Sequence, residues 1–395
     1  MLYNHHLFTE HNALILLLFW AIYSVIVVVY LNFLTRKYLT PMPRDEIVGD
    51  KKLKNYLELQ ETFANRESLN ILVLSGGGLR GLVPLETLSY LEKRTGLKCG
   101  ELFDFISGSS TGAISAAGFC VADSEGNYVF SAQNIIDTYI ENAQKIFSSP
   151  WYHQLLTLFG LFAPRFLPGN KLEVLEGYYG NLTLGELKGN LLIPVYNIDQ
   201  NYLQIVKNWS TPRRDSGENM LVKDLINGAS SPPMLFPPVA FRLKNKDYLY
   251  IDPAVLLNNP ILHVLLQVRS LFPNKHLNLV LIGNGGTSEA RYNYRHMFSF
   301  GLYGLYQYLF SAPALGSKLY IDFVQDYLDE AGRVDPNITF FRVNAEPNEK
   351  LSASDASLDN LTKIQHFGNR MLQVNLVIIN KIAACLIKSH DVKVE

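Results

Sequence analysis

A chain of 395 residues exceeds the usual single-domain size and calls for a large folded domain with appended segments. Its 35 basic and 36 acidic side chains leave a formal charge of -1, which excludes nucleic acid as the main partner because phosphate binding leaves a basic excess. The three cysteines, Cys99, Cys120 and Cys385, are too few and too scattered for a disulfide framework or a metal site, so they read as buried thiols in a reducing compartment, with no cofactor expected.

After a short tail, residues 1–12, the stretch Ala13 to Leu34 contains no charged residue. As a helix it is roughly 33 Å long, enough to cross a hydrocarbon core of about 30 Å. A cleaved signal peptide would want a basic leader, a shorter apolar core and a small-residue cleavage site; this N-terminus instead carries His5, His6, Glu10 and His11 and lacks Lys and Arg. A buried core helix rarely runs this long without a charge. The expectation is therefore a single membrane span. Arg36, Lys37, Arg44, Lys51, Lys52 and Lys54 follow it, and the positive-inside rule puts everything beyond the span in the cytoplasm, with the N-terminus outside.

Residues 35–69 read as a polar connector with a loose helical pattern through Leu53, Leu57 and Phe63. At Ile71 to Leu74 a short apolar run ends in Gly76-Gly77-Gly78, which predicts a buried strand entering a turn. Leu82, Leu85, Leu88 and Leu91 then recur at helical spacing, with Lys93 and Arg94 near the end and Gly96 as the stop. Phe103 to Ser107 predicts a second strand running into Gly108 and then a helix from Ala113 to Phe119. This alternation is the grammar of a mostly parallel α/β sheet. Further strands are predicted at Leu191 to Ile198, Tyr248 to Ile251, Leu277 to Ile282 and Ile338 to Val343.

Two turns carry chemistry. Gly76-Gly77-Gly78-Leu79-Arg80-Gly81 fits the literal GxGxxG pattern, but Asp104 lies near the start of the second strand, whereas a dinucleotide site wants its acid at that strand's end. Three glycines at a helix N-terminus present bare N–H groups, which suit a phosphate or an oxyanion equally. The next turn, Gly108-Ser109-Ser110-Thr111-Gly112, fits GxSxG directly after a strand, where flanking glycines make room for a sharp elbow that thrusts Ser110 forward. Acyl transfer needs a nucleophile beside an oxyanion hole, and the two turns lie one βα unit apart.

With these motifs the sequence resembles the patatin-like phospholipases, of the bacterial type, a family marked by an SGGGxRG turn, a GTSTG-type elbow and a DG(G/A) motif. They read here as Ser75 to Gly81, Gly108 to Gly112 and Asp252-Pro253-Ala254. The likeness runs on through Gly180 to Leu187, Ala229 to Pro233, Phe236 to Pro238, Asn258 to Pro260, Leu281 to Gly285 and Asp355 to Leu361. The resemblance implies that Ser110 attacks the ester, that Asp252 takes its proton directly, and that the N–H groups of Gly77 and Gly78 hold the oxyanion with Arg80 in support. The glycines Gly76, Gly81, Gly108 and Gly112 shape the turns. It also implies a phospholipid or other acyl-lipid substrate.

A serine–histidine–acid triad is the mechanistic alternative, since His263, His276 and His296 follow Asp252 in the order used by α/β-hydrolases. Pro253 departs from the family glycine; because proline disfavours only the helical region for the residue before it, an Asp252 leaving an extended strand keeps its place. Asn258 and Asn259 before Pro260 suit a helix N-cap or a catalytic role. The Phe-, Tyr- and Leu-rich tract Met297 to Tyr327 reads as core packing, an acyl pocket or a bilayer contact. The expected whole is a three-layer α/β/α hydrolase domain over residues 70–375, behind a membrane helix at 13–34 and followed by a helical tail at 376–395. The functional alternative is a catalytically impaired patatin-like protein serving as a membrane-tethered scaffold.

Overall fold

The computed structural model describes residues 2–38, 42–43, 52–158, 160, 162–210, 219–243, 246–255, 257, 259–285 and 336–389. The expectations for Asn258, His296 and the tract Met297 to Tyr327, and those for Arg44 and Lys51, lie outside the described residues.

Among the described residues, nine strands make up the sheet: β1 (Met42–Pro43), β2 (Ser68–Leu74), β3 (Phe105–Gly108), β4 (Asn190–Asn197), β5 (Tyr202–Lys207), β6 (Val239–Leu243), β7 (Lys246–Ile251), β8 (His276–Ile282) and β9 (Ile338–Val343). The helices are α1 (Leu2–Tyr38), α2 (Tyr56–Thr62), α3 (Leu82–Thr95), α4 (Cys99–Leu102), α5 (Thr111–Phe119), α6 (Ala132–Ile146), α7 (Trp151–Leu156), α8 (Pro168–Tyr179), α9 (Val222–Ala229), α10 (Ile261–Leu271), α11 (Leu358–Val374) and α12 (Leu376–Ser389). The order across the sheet is β1-β6-β7-β4-β3-β2-β8-β9, with β5 also on β4. Strands β4, β3, β2, β8 and β9 run parallel, whereas β5 and β7 pair antiparallel with β4. The predicted strands are found within three residues of their expected ends; β1, β5 and β6 are additions.

Three layers follow from the two-residue period of the central strands. In β2, Leu72 and Leu74 face one core, while Leu69, Ile71 and Val73 face the other. In β8, Val280 and Ile282 face the first and Leu277, Leu279 and Leu281 the second. The first core is roofed by α3, α5, α6, α8, α9, α11 and α12, and the second by α2 and α10. Helix α3 presents Leu82, Leu85, Leu88 and Leu91 as one buried stripe and stops at Gly96, whose φ of 74° is the left-handed C-cap.

The segment expected as a connector carries structure of its own. Asn55 and Glu58 form a capping box for α2, which buries Leu59 and delivers Phe63 to the second core. Lys54 Nζ donates to the Lys188 carbonyl at 2.7 Å and to Asn190 Oδ1 at 3.0 Å, tying this segment to the start of β4. Ahead of it, Ile15–Leu34 of α1 are long and apolar enough to cross a membrane, and Val27 is the buried residue among them. At the other end of the chain, α12 packs Ile379, Ile382 and Leu386 into the first core.

Candidate active site

Register brings the chemical loops together. Leu74, the last residue of β2, pairs with Gly108 at the end of β3 and with Ile282 at the end of β8, so the turns after these three strands leave the sheet side by side. Their contacts interlock: the Ser109 N–H donates to the Leu74 carbonyl at 3.1 Å, the Ser75 N–H to Ile282 at 3.2 Å, and the Asn284 side-chain amide to the Gly76 carbonyl.

Ser110 stands at the elbow with φ 53° and ψ -123°, a positive φ held by a non-glycine residue. Such a conformation costs on the order of 1–3 kcal/mol and persists only where its surroundings impose it. They do so here through the glycines on either side. A Cβ at Gly108 would overlap the Gly112 backbone, and one at Gly112 would come within 2.7 Å of the Leu74 carbonyl oxygen. The elbow is drawn tight against the strand it leaves.

Asp252 arrives from the antiparallel side of the sheet. Leu192 of β4 pairs with both β3 and β5, and Tyr196 with both β7 and β5, so β3 and β7 share the edge of β4 opposite β5. β3 pairs up to Ser107↔Leu192, and β7 takes over that edge at Tyr196↔Ile251, running back towards it. The residue after Ile251 therefore meets the residues after Gly108, and the Ser110 hydroxyl lies close enough to the Asp252 carboxylate to hold its pKa down. That approach is looser than a formed hydrogen bond, since Oδ2 of Asp252 has no hydrogen-bond partner.

The carboxyl group of Asp252 is fully buried, and desolvation pushes its pKa up to about 6 against the opposing pull of Ser110, the Ala254 N–H and Lys171. Its Oδ1 accepts the Ala254 N–H at 2.8 Å, and its own N–H donates to the Ser231 carbonyl at 3.0 Å. Pro253 therefore costs the carboxylate nothing, because the turn uses the N–H two residues on rather than that of residue 253.

The glycine turn lies beside the elbow, since a Cβ at Gly81 would come within 2.7 Å of Thr111 Oγ1. Gly77 and Gly78 make no backbone N–H donation among the described residues. Gly78 has φ 59°, and a Cβ on either residue would overlap its neighbour, the Asn284 side chain for Gly77 and the Ala353 carbonyl for Gly78. The Leu79 N–H donates to Ala353 at 2.9 Å and the Tyr139 hydroxyl to the Gly78 carbonyl at 3.2 Å, which fixes the loop from two sides. Arg80 is largely buried, its pKa lowered by desolvation, and its Nε has no partner among the described residues.

The histidines stand apart. His276 opens β8 opposite Ser68, at the sheet's other edge from Ser110, with Nε2 2.8 Å from Thr339 Oγ1. His263 lies on α10, in the layer behind the sheet. Asn259 accepts the Ile261 N–H at 3.0 Å, capping the start of α10, and donates to Ser75 Oγ at 3.3 Å. Cys99 and Cys120 are buried free thiols, the latter pushed up to about 12 by desolvation.

Sequence reasoning missed Lys171. This buried ammonium on α8 donates to the carbonyls of Asn227 at 3.0 Å and Ser230 at 2.8 Å and to Ser231 Oγ at 2.6 Å, and it lies 4.4 Å from the centre of the Phe236 ring. Desolvation lowers its pKa to about 7, and the charge of Asp252 opposes that fall. It thus holds the turn that anchors the Asp252 backbone while lowering the pKa of the Asp252 carboxyl. A lone lysine in an amphipathic helix gives no signal of this in the sequence. Beside it a small cavity of about 30 Å³ is lined by Thr111, Ile114, Phe147, Val174 and Phe236.

Comparison with known proteins adds the following. The family model described as patatin-like phospholipase matches residues 72–265. Patatin-like protein 2 of Arabidopsis thaliana is 23% identical over 350 residues, covering 80% of this chain and 86% of the relative. Patatin-like protein 3 of the same plant is 28% identical over 226 residues, covering 51% of this chain and 52% of the relative. Among solved structures, human GIVD cytosolic phospholipase A2 bound to methyl gamma-linolenyl fluorophosphonate aligns with a TM-score of 0.41 and 12% identity, over 85% of this chain and 62% of that one.

Proposed function

We propose that this chain, for which the family match and the plant relatives support a patatin-like phospholipase and lipid acyl hydrolysis, is a membrane-anchored serine hydrolase working through a Ser110–Asp252 dyad. One observation carries the reading: a serine at a strained elbow beside a buried carboxylate of raised pKa, with the neighbouring glycine turn holding two N–H groups that donate to nothing among the described residues.

The chemistry runs in two halves. Ser110 Oγ attacks the ester carbonyl carbon while its proton passes to Asp252, and the oxygen that gains negative charge is held by the N–H groups of Gly77 and Gly78, with Arg80 adding positive potential. Collapse of this intermediate breaks the bond to the lipid alcohol, which leaves with the proton from Asp252. Water then attacks the acyl-serine, giving its proton to Asp252. Expulsion of Ser110, reprotonated by Asp252, releases the fatty acid. An ordinary aspartate, with a pKa near 3.9, would be a weak base; the rise to about 6 brings this one towards working pH. No histidine is needed, in keeping with His276 standing at the far edge.

The apolar helix supports anchoring in a bilayer by one span. Arg36 and Lys37 at its end favour a cytoplasmic catalytic domain. A fluorophosphonate ester probe tests the central reading. Labelling of the wild type but not of Ser110→Ala is expected. Equal labelling of both would remove Ser110 from the mechanism, and a folded wild type that takes no label would favour the scaffold reading.

A further inference from the structure

Two attachments tie α7 to the membrane helix. The Tyr23 hydroxyl donates to the Leu155 carbonyl at 3.0 Å, and the Tyr30 hydroxyl meets His153 Nδ1 at 2.7 Å. His153 Nε2 lies 2.9 Å from the Pro164 carbonyl, which can only accept, so Nε2 carries the proton and Tyr30 donates to Nδ1. At about 1.5 Å per residue, Tyr30 and Tyr23 lie roughly 6 Å and 16 Å inside Leu34, the end of the apolar stretch. Wherever a bilayer accommodates that stretch, α7 goes in with it.

The exposed side chains of this segment fit such a position. Trp151 is 77% exposed, and Tyr152, Leu155 and Phe162 are exposed beside it. No Asp, Glu, Lys or Arg occurs from Pro150 to Pro164; charge resumes at Arg165, as it does at Arg36 after the span. In water this surface carries the full hydration cost of bare apolar area. In a leaflet it carries none.

Between this segment and α1 lies a cleft of about 240 Å³, lined by Leu31, Leu34, Phe162, Ala163, Phe166 and Pro237 among others. Phe166 packs on Phe236 with ring centres 5.5 Å apart, and Phe236 lines the small cavity beside Thr111 and Lys171. This aromatic pair, with Phe147 packed on both rings at 5.6 Å and 5.9 Å, stands between an apolar cleft on the membrane side and the cavity behind the nucleophile. At about 30 Å³ the inner cavity is too small for a lipid chain by itself.

We propose that residues 151–158 and 162–164 are embedded in the leaflet beside the membrane helix, and that the cleft between this segment and α1 receives an acyl chain of a bilayer lipid on its way to Ser110. This rests on reading α1 as a span and Ser110 as the nucleophile. Displacement of the Phe166–Phe236 pair joins the two cavities.

The first test leaves catalysis aside. The full chain carrying Trp20→Phe is placed in phosphatidylcholine vesicles with brominated acyl chains and compared with the same chain also carrying Trp151→Phe; Trp209 is buried and serves as an internal standard. The emission due to Trp151 is expected to be quenched at least twofold by the bromolipid and to be insensitive to aqueous iodide. Quenching by iodide alone overturns the proposal while leaving the span intact. Failure of the chain to float with vesicles removes both. The second test fills the cleft with Ala163→Trp and compares turnover of vesicle phospholipid with that of a short soluble ester. The ratio is expected to fall at least tenfold; an unchanged ratio overturns the acyl-chain site. A wild type inactive on both esters counts against the nucleophile, and with it the acyl-chain site, but leaves the quenching result standing for the embedded segment.

Discussion

At the scale of single residues, the site depends on how far burial moves Asp252. As the proposed base it works in the ionised form, so with a pKa of about 6 the kcat/KM should fall about tenfold per pH unit on the acid side, with a midpoint near pH 6. A pH profile with a short soluble ester reads this limb. The same shift has a stability side. The folded pKa lies above the ordinary value of 3.8, so stability from the neutral form is present below about pH 4 and lost as pH rises through 6, a cost on the order of 3 kcal/mol. Asp252→Asn should therefore abolish turnover while melting at a higher temperature than the wild type at pH 8, with the difference vanishing below pH 4. Lys171→Met removes a cation that lowers the Asp252 pKa, so the acid limb should move to higher pH. It also takes the ammonium donor from the Ser230 carbonyl and Ser231 Oγ, at about 1–3 kcal/mol each, while the Asn227 carbonyl keeps the Ser231 hydroxyl at 2.7 Å, so the profile is read alongside a melting curve. A variant whose profile keeps the wild-type midpoint would confine Lys171 to a structural role. Pro253→Gly should change turnover only modestly, because Oδ1 takes the Ala254 N–H in either case.

At the scale of elements, the decisive feature is the meeting of loops after β2, β3 and β8. The glycine turn touches the Asn284 side chain on one side and the Ala353 carbonyl on the other. Gly77→Ala puts a methyl group where the Asn284 amide lies, so the turn has to shift and its N–H groups lose their aim. Loss of one oxyanion donor costs about 2.7–4 kcal/mol of barrier, so kcat should fall about 10²- to 10³-fold with little change in KM. Wild-type kcat in this variant would move the oxyanion hole away from Gly77.

At the scale of the whole molecule, the region before β2 divides into two parts with different roles. α1 packs on α7 and borders the cleft lined by Phe166 and Pro237, whereas α2 and Lys54 are built into the second core and the start of β4. A chain beginning at Lys52 should fold, lose the proposed anchor helix and cleave short esters. One beginning at Asn70 loses the buried side chains of Leu59 and Phe63, each worth about 1.5–3 kcal/mol, together with the Lys54 contacts and the first two residues of β2. It should melt several degrees lower or fail to fold. Equal melting temperatures for the two chains would return α2 to the status of a connector.

The sequence by itself determined the local pieces. The GxSxG and GGG turns, the parallel strands with both faces apolar, the long uncharged helix and the stop at Gly96 all follow from rules that act over a few residues. The same rules put Ser110 at a strand-to-helix elbow and Gly76 to Gly78 in a turn, whereas the roles proposed for Gly77 and Gly78 came from the family resemblance. What only the tertiary structure decided are relations between distant segments: that β7 runs antiparallel along the edge of β4 that β3 vacates and so delivers residue 252 to residue 110, that Lys171 is buried within reach of the Asp252 charge, that α2 belongs to a core, and that α7 packs on the apolar helix α1. A buried lysine on an amphipathic helix looks in sequence like any solvated one, because its burial comes from the turn at 227–231 that closes over it. The raised pKa of Asp252 has the same origin, since desolvation is a property of the packed whole and not of the Asp-Pro-Ala that spells it.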